Sequence, residues 1–451
     1  MSVQRVTTIA EIDFPAHAVV IADRALPDEL LEPLPDPILV EAGESLKTLD
    51  AVGELAGKVL ARRASRPLVI VGVGGGSIGD AVGFLASTLW RGVELWHVPS
   101  TLLAMVDSAH GGKTAVNLGA MKNQLGTFYP AERVLLVDEI LATLPHRQRE
   151  QGLVELIKGL WLGDAEAVDL LDVDGGVGRL AAAPFGDVSE RLMGLLERAI
   201  DVKLEIVDQD MYEEKGIRTF LNLGHTAAHA LELHAGLPHG EAVAWGMMAA
   251  GRVSAEHGDL ADADAERIRT HLYPLVHYSR SVLGFEDRAA FDAALLRDKK
   301  RVEGELRSVL LSAPGQPYVT REVTSEMWFD ALRAELRRWS TRSVRVRAAR
   351  PTATTLEMEA SKSELNRALA IRCLRPGETS VSGRSGADDV QFMLAATDML
   401  RQAEPDEEVA FDAGEGGTTF RFLTALAAAR TGPTRIFMHE RLRRRPHDPL
   451  F

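Results

Sequence analysis

Residues 69–80 have the sequence Val69-Ile-Val-Gly-Val-Gly-Gly-Gly-Ser-Ile-Gly-Asp80, an apolar run followed by a cluster of glycines. The β-branched run predicts a buried strand, and the residues after the glycines predict the start of a helix. Gly74, Gly76 and Gly79 satisfy the pattern G-x-G-x-x-G, whose side-chain-free positions let a pyrophosphate approach the N–H groups at a helix N-terminus. Asp80 is placed to accept a hydrogen bond from a ribose or nicotinamide. A plain tight turn stays an alternative, because strand–glycine–helix turns are common without any nucleotide.

The sequence around this stretch, from residue 16 to about residue 144, alternates short apolar runs with helical patterns. Strands separated by helices indicate βαβ units and a mainly parallel sheet. The predicted helices are Ala51–Arg63 and Ala81–Trp90. The predicted strands are His17–Ile21, Ile38–Val40, Pro67–Val73, Val93–Val98 and Val134–Val137.

The pattern becomes helical from about residue 145 to residue 339, and strand-like runs nearly vanish. This predicts an all-α second domain. The predicted helices are Gln148–Leu162, Ser189–Val207, His225–His234, Gly240–His257 and Ala265–His271.

The composition shifts again near Ser340, where seven arginines lie between Arg333 and Arg350. A nucleic-acid site is one interpretation of these arginines, and a solvated helix end and linker is the favoured one. A new α/β pattern follows, with a strand at Thr354–Met358 and helices from Ser363 and Thr418. We therefore predict domains at residues 1–146, 147–339 and 344–451.

Bulk properties limit the class of protein. The chain has 451 residues, a formal net charge of −14 and a single cysteine, Cys373. The negative charge gives no basic face for general nucleic-acid binding, and one cysteine cannot form an internal disulfide. The N-terminal segment lacks the pattern of a signal peptide, and no apolar run reaches a spanning length. We expect a soluble cytoplasmic protein without a nucleic-acid or membrane partner.

Charged residues and glycines are interleaved in residues 91–123. Asp107, Lys113 and Lys122 stand among glycines, asparagines and Arg91. Lysine supplies a point charge for phosphate or carboxylate, so the segment suits a loop around an anionic, polyhydroxylated ligand. A polar surface loop is the alternative, but it explains the many glycines beside the charges less well.

Three histidines and a glutamate form a candidate metal site. His225 and His229 are four residues apart, so on a helix they share a face. His239 opens the next helix, and Glu155 lies on a helix with Lys158 one turn further on the same face. Catalytic zinc takes three nitrogen or oxygen ligands and keeps one position open. Glu155, His225 and His239 would meet that need, although the spacing alone is only moderately specific.

Together these motifs make the stretch from Glu44 to about Tyr318 resemble the 3-dehydroquinate synthase family. The matching segments are Gly43-Glu44 with Lys47, GVGGGSIGD, RGVELWHVPSTLLAMVDSAHGGKTAVN, MKNQLGTFYP, GLVELIKG, KGIRTFLNLGHTAAHALE, LPHGEAVAWGM and Asp298-Lys299-Lys300. The resemblance implies an N-terminal NAD-binding α/β domain, a helical metal-binding domain, an active site in the cleft between them, and a homodimer.

The resemblance also assigns roles to single residues. It implies zinc, or cobalt in its place, on Glu155, His225 and His239. The NAD-contacting positions would be Lys47, Gly75, Gly76, Asp80, Thr101, Lys113, Lys122 and Thr143. The catalytic or substrate-binding positions would be Asp107, Lys113, Lys122, Asn123, Lys158, Lys203, Arg218, Asn222 and His229, with Lys300 as a weaker match and Arg91 reaching a substrate phosphate across the dimer.

The implied reaction starts from 3-deoxy-arabino-heptulosonate 7-phosphate, a sugar phosphate. An alcohol is oxidised, phosphate is eliminated, the ketone is reduced back, and the ring opens and recloses by an aldol step, so bound NAD is recycled. Alternatives are a sister sugar-phosphate cyclase, a metal-dependent polyol dehydrogenase and an inactive assembly partner. Lys203, Arg218 and Asn222 favour dehydroquinate synthase because they suit a carboxylate-bearing substrate.

A few positions depart from the family pattern. Ser100 replaces the usual threonine, and His110 replaces an apolar residue. The segment from residue 208 to residue 214 is one residue longer than in common versions, and the run between His229 and His239 is short. These departures concern the positioning of the substrate, while every catalytic group is present.

Residues 344–451 resemble the start of EPSP synthase, an enolpyruvyl transferase. The matching segments are SKSELNRA from Ser361, Asp388-Asp389, DAGEGGTTFRFL from Asp412, and Arg445-Pro446, with Glu415 as a departure. The resemblance implies that Lys362, Ser363, Arg367 and Arg445 contact shikimate 3-phosphate or phosphoenolpyruvate. The second lobe of that enzyme has no counterpart here, so we expect a partial α/β lobe that is inactive alone.

Overall fold

A computed structural model gives the fold of residues 1–119, 121–277, 287–299, 306–340, 355–357, 362–374, 380–382, 388–414 and 416–437. The chain forms two compact units, residues 1–342 and 343–451. The predicted subdivision of the first unit at residue 146 stays a prediction. No helix within the described ranges has both the length and the apolar character needed to cross a membrane.

The first unit begins with a six-stranded parallel sheet in the order β1–β8–β5–β4–β2–β3. Every residue of the central strand β4 is buried, as expected for a parallel strand covered on both faces. This confirms the predicted parallel α/β fold. The strands are β1 Ser2–Val6, β2 Ala18–Asp23, β3 Ile38–Val40, β4 Val69–Gly74, β5 Glu94–Pro99 and β8 Arg133–Val137.

Helices connect these strands because the intervening segments carry one apolar stripe each. In α2 the buried residues Val52, Leu55 and Val59 recur at helical spacing, and Thr48 caps the helix by accepting a hydrogen bond from the Ala51 N–H at 3.2 Å. The helices of this part are α1 Asp28–Leu31, α2 Leu49–Arg62, α3 Gly76–Thr88, α4 Leu102–Val106 and α5 Asp138–Thr143.

A hairpin occupies the segment that the sequence predicted to be a loop. Strands β6 Lys113–Leu118 and β7 Met121–Phe128 pair antiparallel. The hairpin lies against α3, where a side chain at Gly83 would come within 2.6 Å of the Thr114 methyl group. The loop prediction, made for residues 91–123, is therefore wrong for residues 113–118 and 121–123. The polar side chains of the segment are held on a sheet surface.

The rest of the first unit is mainly helical around fully buried Trp161, Trp245 and Trp328. The helices are α6 His146–Gly163, α7 Ala165–Leu170, α8 Gly176–Ala182, α9 Phe185–Gln209, α10 His225–Ala235, α11 His239–His257, α12 Asp262–Leu272, α13 Arg288–Lys299 and α14 Ser325–Ser340. An antiparallel hairpin of β9 Ser308–Ala313 and β10 Gln316–Thr320 interrupts them. The prediction of an all-α domain is wrong at this hairpin, whose first four residues are buried among the helices.

The second unit has its own apolar core, which includes Leu365, Val390, Phe411 and Leu423. Its strands pair in parallel, β11 Thr355–Glu357 with β12 Ser380–Ser382 and β13 Val409–Asp412 with β14 Thr434–Phe437. Its helices are α15 Lys362–Leu374, α16 Asp388–Gln402 and α17 Gly417–Ala428. The alternation is that of an α/β unit.

Candidate active site

A cavity of about 490 Å³ lies in the first unit, between the glycine turn that follows β4 and the helices that carry the histidines. Its walls come from α3, the β6–β7 hairpin, α6, α9 and the turn that precedes α10. The structure brings nine of the residues predicted from the sequence into its lining, namely Asp80, Asp107, Lys113, Asn123, Lys158, Lys203, Arg218, Asn222 and His225.

The glycine turn forms a narrow backbone cradle at the first turn of α3. A Cβ atom at Gly74 would come within 2.5 Å of the Ile78 side chain, and one at Gly76 would lie 3.3 Å from Ser108 Oγ. Side chains here would therefore fill the space above the helix N-terminus, where backbone N–H groups favour an anion. The cradle fits the pyrophosphate of a dinucleotide.

Asp80 and Lys47 connect this turn to the cavity. Lys47 is buried and donates hydrogen bonds to Asp80 Oδ2 at 2.7 Å and to Asn123 Oδ1 at 2.6 Å. Burial raises the pKa of the Asp80 carboxyl, although the positive charge of Lys47 opposes this shift. The three side chains therefore form one polar chain between the glycine turn and β7.

Two further predicted NAD contacts occupy different positions. Thr101 caps α4 through the Ala104 N–H at 3.1 Å, and its side chain would lie 3.4 Å from a Cβ atom at Gly75. Thr143 ends α5, and its hydroxyl donates to the Ile140 carbonyl at 2.9 Å. Of these two residues, Thr101 lies beside the glycine turn, whereas the hydrogen bond of Thr143 stays within α5. Both assignments stay predictions.

Glu155 on α6, His225 on α10 and His239 on α11 form a candidate three-ligand metal centre. One ligand atom from each residue lies within 4.8 Å of the other two. Glu155 Oε1 is 3.2 Å from His239 Nε2 and 3.9 Å from His225 Nε2. Three helices thus direct one carboxylate and two imidazoles at a common point, which is the ligand set of a catalytic zinc site with an open position.

The far sides of both imidazoles are held by hydrogen bonds. His225 Nδ1 donates to the Leu223 carbonyl at 3.2 Å, and His239 Nδ1 donates to Glu232 Oε1 at 2.7 Å. Such bonds orient metal-ligating histidines and leave Nε2 for the ion. Glu232 was not predicted from the sequence. It lies seven residues after His225, two turns along the same face of α10, and that spacing could have identified it.

The electrostatics of this centre favour a positive charge. Burial, assisted by Lys158, lowers the pKa of His225 to about 3. Burial also acts to lower the pKa of His239, but Glu155 and Glu232 outweigh it and raise that pKa to about 10. Burial acts to raise the pKa of Glu155, yet Lys158 and the two histidines hold it well below its ordinary value. The donor set and its charge therefore fit a divalent cation.

Buried cations line the cavity beside this centre. Lys158 Nζ lies 2.5 Å from Glu155 Oε2 and donates to the Leu221 carbonyl at 2.7 Å. Lys203 on α9 forms an ion pair with Asp107, and burial lowers the Lys203 pKa while that carboxylate opposes the shift. Ammonium groups in such a cavity can neutralise a phosphate or a carboxylate and can exchange protons with a substrate.

Arg218 and Glu213 form another part of the cavity wall. Arg218 donates to the Gly111 carbonyl at 2.5 Å and to the Met211 carbonyl at 2.8 Å. Glu213, with a left-handed φ of 61°, pairs with Lys113 and lies 3.5 Å from Arg218 Nε. The segment from residue 208 to residue 214 is one residue longer than in common versions of the family, but Glu213 was not predicted from the sequence to be a cavity residue.

Several predicted site residues lie elsewhere. His229 is one turn after His225 on α10, with ring centroids 5.9 Å apart, and Lys122 is exposed and 3.2 Å from Glu44 Oε1. Arg91 is exposed in the turn between α3 and β5. Lys300 and Arg445 lie outside the described residues, and for Lys362 and Ser363 the structure describes only the backbone. Arg367 is exposed beside an apolar groove on the second unit.

The fold and the site define a class of enzyme: a parallel α/β sheet with a dinucleotide-type turn faces a helical half with a three-ligand metal centre, and a cationic cavity lies between them. The family model for the 3-dehydroquinate synthase N-terminal domain matches residues 37–151, and the model for its C-terminal domain matches residues 152–301. The chain belongs to the 3-dehydroquinate synthase family, and it is a carbon–oxygen lyase by that membership.

Curated relatives of this chain are also 3-dehydroquinate synthases. A 3-dehydroquinate synthase from Opitutus terrae is 38% identical over 300 residues, which cover 64% of this chain and 79% of the relative. One from Microcystis aeruginosa is 38% identical over 290 residues, or 63% of this chain and 77% of the relative. These matches support the resemblance found in residues 44–318 and do not bear on residues 344–451.

Solved structures share the fold. A 2-deoxy-scyllo-inosose synthase complexed with carbaglucose-6-phosphate, NAD⁺ and Co²⁺ has a TM-score of 0.62 at 27% identity, over 74% of this chain and 96% of that one. A 2-epi-5-epi-valiolone synthase from Streptomyces hygroscopicus with NAD⁺ and Zn²⁺ has a TM-score of 0.64 at 26% identity, over 75% and 96%. The predicted cofactors, NAD with zinc or cobalt, are those that these two structures contain.

Proposed function

We propose that the chain is a 3-dehydroquinate synthase that converts 3-deoxy-arabino-heptulosonate 7-phosphate to 3-dehydroquinate and phosphate. The observation that carries the proposal is one cavity that is lined by Asp80, by His225 of the candidate metal centre and by four cations. The four cations are Lys113, Lys158, Lys203 and Arg218. A substrate that bears both a carboxylate and a phosphate offers these cations two anionic groups to bind.

Each part of the cavity has a role in this proposal. When bound, NAD⁺ supplies a reversible hydride acceptor and the metal polarises an alcohol or ketone oxygen. Glu155, His225 and His239 would hold the ion, and the Gly74–Gly76 turn would hold the dinucleotide pyrophosphate. Lys203 and Arg218 would orient the substrate carboxylate, and Lys113 with Asn123 would bind its phosphate.

Sister cyclases of the same fold are the competing assignment. The curated dehydroquinate synthases are 38% identical to this chain, whereas the two cyclase structures are 26–27% identical. Arg218 and Lys203 also place two buried cations at the cavity, which suits a substrate that carries a carboxylate. Both observations favour the heptulosonate substrate.

The deciding experiment gives the purified protein, loaded with NAD⁺ and Zn²⁺ or Co²⁺, the heptulosonate phosphate and follows release of phosphate and formation of dehydroquinate. We expect one phosphate per dehydroquinate without accumulation of NADH. NADH that accumulates in step with product would indicate a polyol dehydrogenase instead. Turnover of a sugar phosphate that lacks the carboxylate, without turnover of the heptulosonate, would indicate a sister cyclase. A homodimer in the cytoplasm belongs to the same proposal.

For residues 344–451 we propose an EPSP synthase-like lobe that has no transferase activity alone. This proposal has only the motifs and the α/β alternation of the second unit in its support. Transfer of an enolpyruvyl group needs cations and acids on both sides of its two ligands. Shikimate 3-phosphate and phosphoenolpyruvate added to the purified chain should therefore release no phosphate. Steady turnover that disappears with Lys362→Ala would overturn this expectation.

A further inference from the structure

The turn at residues 89–92, between α3 and β5, has an unusual backbone. Trp90 and Arg91 have φ values of 51° and 65°, and the following Gly92 has a φ of 119°. The left-handed region is costly for residues with a side chain, and two in succession persist only when the surroundings hold them. The turn therefore requires an external support.

Arg66 provides that support from the segment before β4. Its Nη2 donates to the Trp90 carbonyl at 2.9 Å and to the Gly92 carbonyl at 2.7 Å, and its guanidinium lies 5.9 Å from the centroid of the Trp90 ring. On the other side, Tyr129 donates to the Val93 carbonyl at 2.8 Å. The two carbonyls that bracket Arg91 are thus bound by one planar group.

The side chain presented by this turn is a free cation. Arg91 is exposed and has no carboxylate partner within the described ranges. Arg91 is also not among the residues that line the cavity of its own subunit. The family resemblance assigns this arginine to a substrate phosphate on a second copy of the chain, and an exposed position outside the cavity of its own subunit agrees with that assignment.

We infer that Arg66 is a positioning residue, which locks the 89–92 turn so that Arg91 meets the substrate phosphate in the cavity of a second copy. This inference rests on the proposed function and on the proposed homodimer. It predicts that Arg66 acts on substrate binding only through Arg91, although Arg66 itself contacts neither substrate nor cofactor.

The test measures KM and kcat for the heptulosonate phosphate, and inhibition by inorganic phosphate, in four variants. Arg91→Met should raise KM at least about tenfold, since charge-assisted hydrogen bonds to phosphate are lost. Arg66→Met should raise KM in the same direction and weaken phosphate inhibition, with kcat less affected. Arg66→Lys should recover most of the loss, because an ammonium group can still donate to both carbonyls. The double variant Arg66→Met/Arg91→Met should be no worse than Arg91→Met alone.

Arg133→Met is the matched control, because Arg133 also stacks on a tryptophan, with its guanidinium 4.5 Å from the Trp96 ring, but lies away from the turn. It should leave KM unchanged. Additive effects in the double variant, or an Arg66→Met enzyme with wild-type KM, would overturn the inference. So would an Arg91→Met enzyme with wild-type KM. An enzyme without turnover of the heptulosonate at all would instead refute the proposed function.

Discussion

The two histidines of the candidate metal centre have different protonation states before a metal binds. The pKa of His239 is raised to about 10, so at neutral pH this imidazole is protonated, whereas His225, with a pKa of about 3, is neutral. A metal must displace the His239 proton in order to bind Nε2. The affinity for Zn²⁺ or Co²⁺ should therefore rise about tenfold per pH unit between about pH 6 and pH 9.

This proton linkage can be measured directly. Calorimetric titration of metal into the apoprotein, in buffers with different ionisation enthalpies, should show release of about one proton at pH 7. Release of two protons, or an affinity independent of pH, would show that the assigned difference in pKa between His225 and His239 is wrong.

Glu232 should strengthen the metal centre although it does not touch the ion. Its carboxylate accepts the His239 Nδ1–H at 2.7 Å, which orients the ring and makes Nε2 a stronger ligand. Glu232→Gln should weaken metal binding by about 10–100-fold, as measured by competition with a chelator. The control is Glu256→Gln, which removes only an exposed ion pair with Arg252 at 2.8 Å. Equal affinity in both variants would contradict the role of Glu232.

At the scale of elements, the contact between α10 and α11 determines where His225 lies. A Cβ atom at Gly246 of α11 would overlap the carbonyl oxygen of Gly224, the residue directly before His225. Gly246→Ala must therefore push the start of α10 away from α11, with a loss of stability of about 1–3 kcal/mol. It should also weaken metal binding, since His225 leaves its place beside Glu155.

Thermal unfolding of the apoprotein and metal titration test this prediction together. The matched control is Gly194→Ala on α9, where an added Cβ meets nothing within 4 Å. That substitution should be neutral or stabilising by up to about 1 kcal/mol, because alanine favours a helix. A Gly246→Ala protein that unfolds like the wild type and binds metal normally would contradict the packing argument.

The sequence predicted some elements well because their pattern is local. The buried run at residues 67–73 and the glycines after it indicated β4 and α3, and the structure has both. The hairpin β6–β7 was missed because β7 is polar and mostly exposed, so it lacks the apolar pattern of a buried strand. The hairpin β9–β10 was missed because a short apolar run such as that of β9 is equally compatible with a buried helix. Glu213 was missed because its role depends on a turn that brings it to Lys113 and Arg218.

At the scale of the whole molecule, the two units have separate apolar cores. The core of the first unit runs from Ile9 to Leu336, and that of the second from Leu365 to Leu426. The residues that line the cavity all lie between Asp80 and His225, and the third metal ligand is His239. The whole candidate site is therefore built inside the first unit.

A chain that ends after Arg342 should keep this site. Each domain with its own core can fold alone in principle, so the shortened protein should bind one metal per chain and turn over the heptulosonate with kcat and KM within about twofold of the full chain. The comparison uses phosphate release, metal content and thermal unfolding of both proteins at equal concentration. A soluble shortened protein that binds metal but has lost turnover would show that residues 343–451 contribute to the synthase reaction, and the proposed independence of the two units would be wrong.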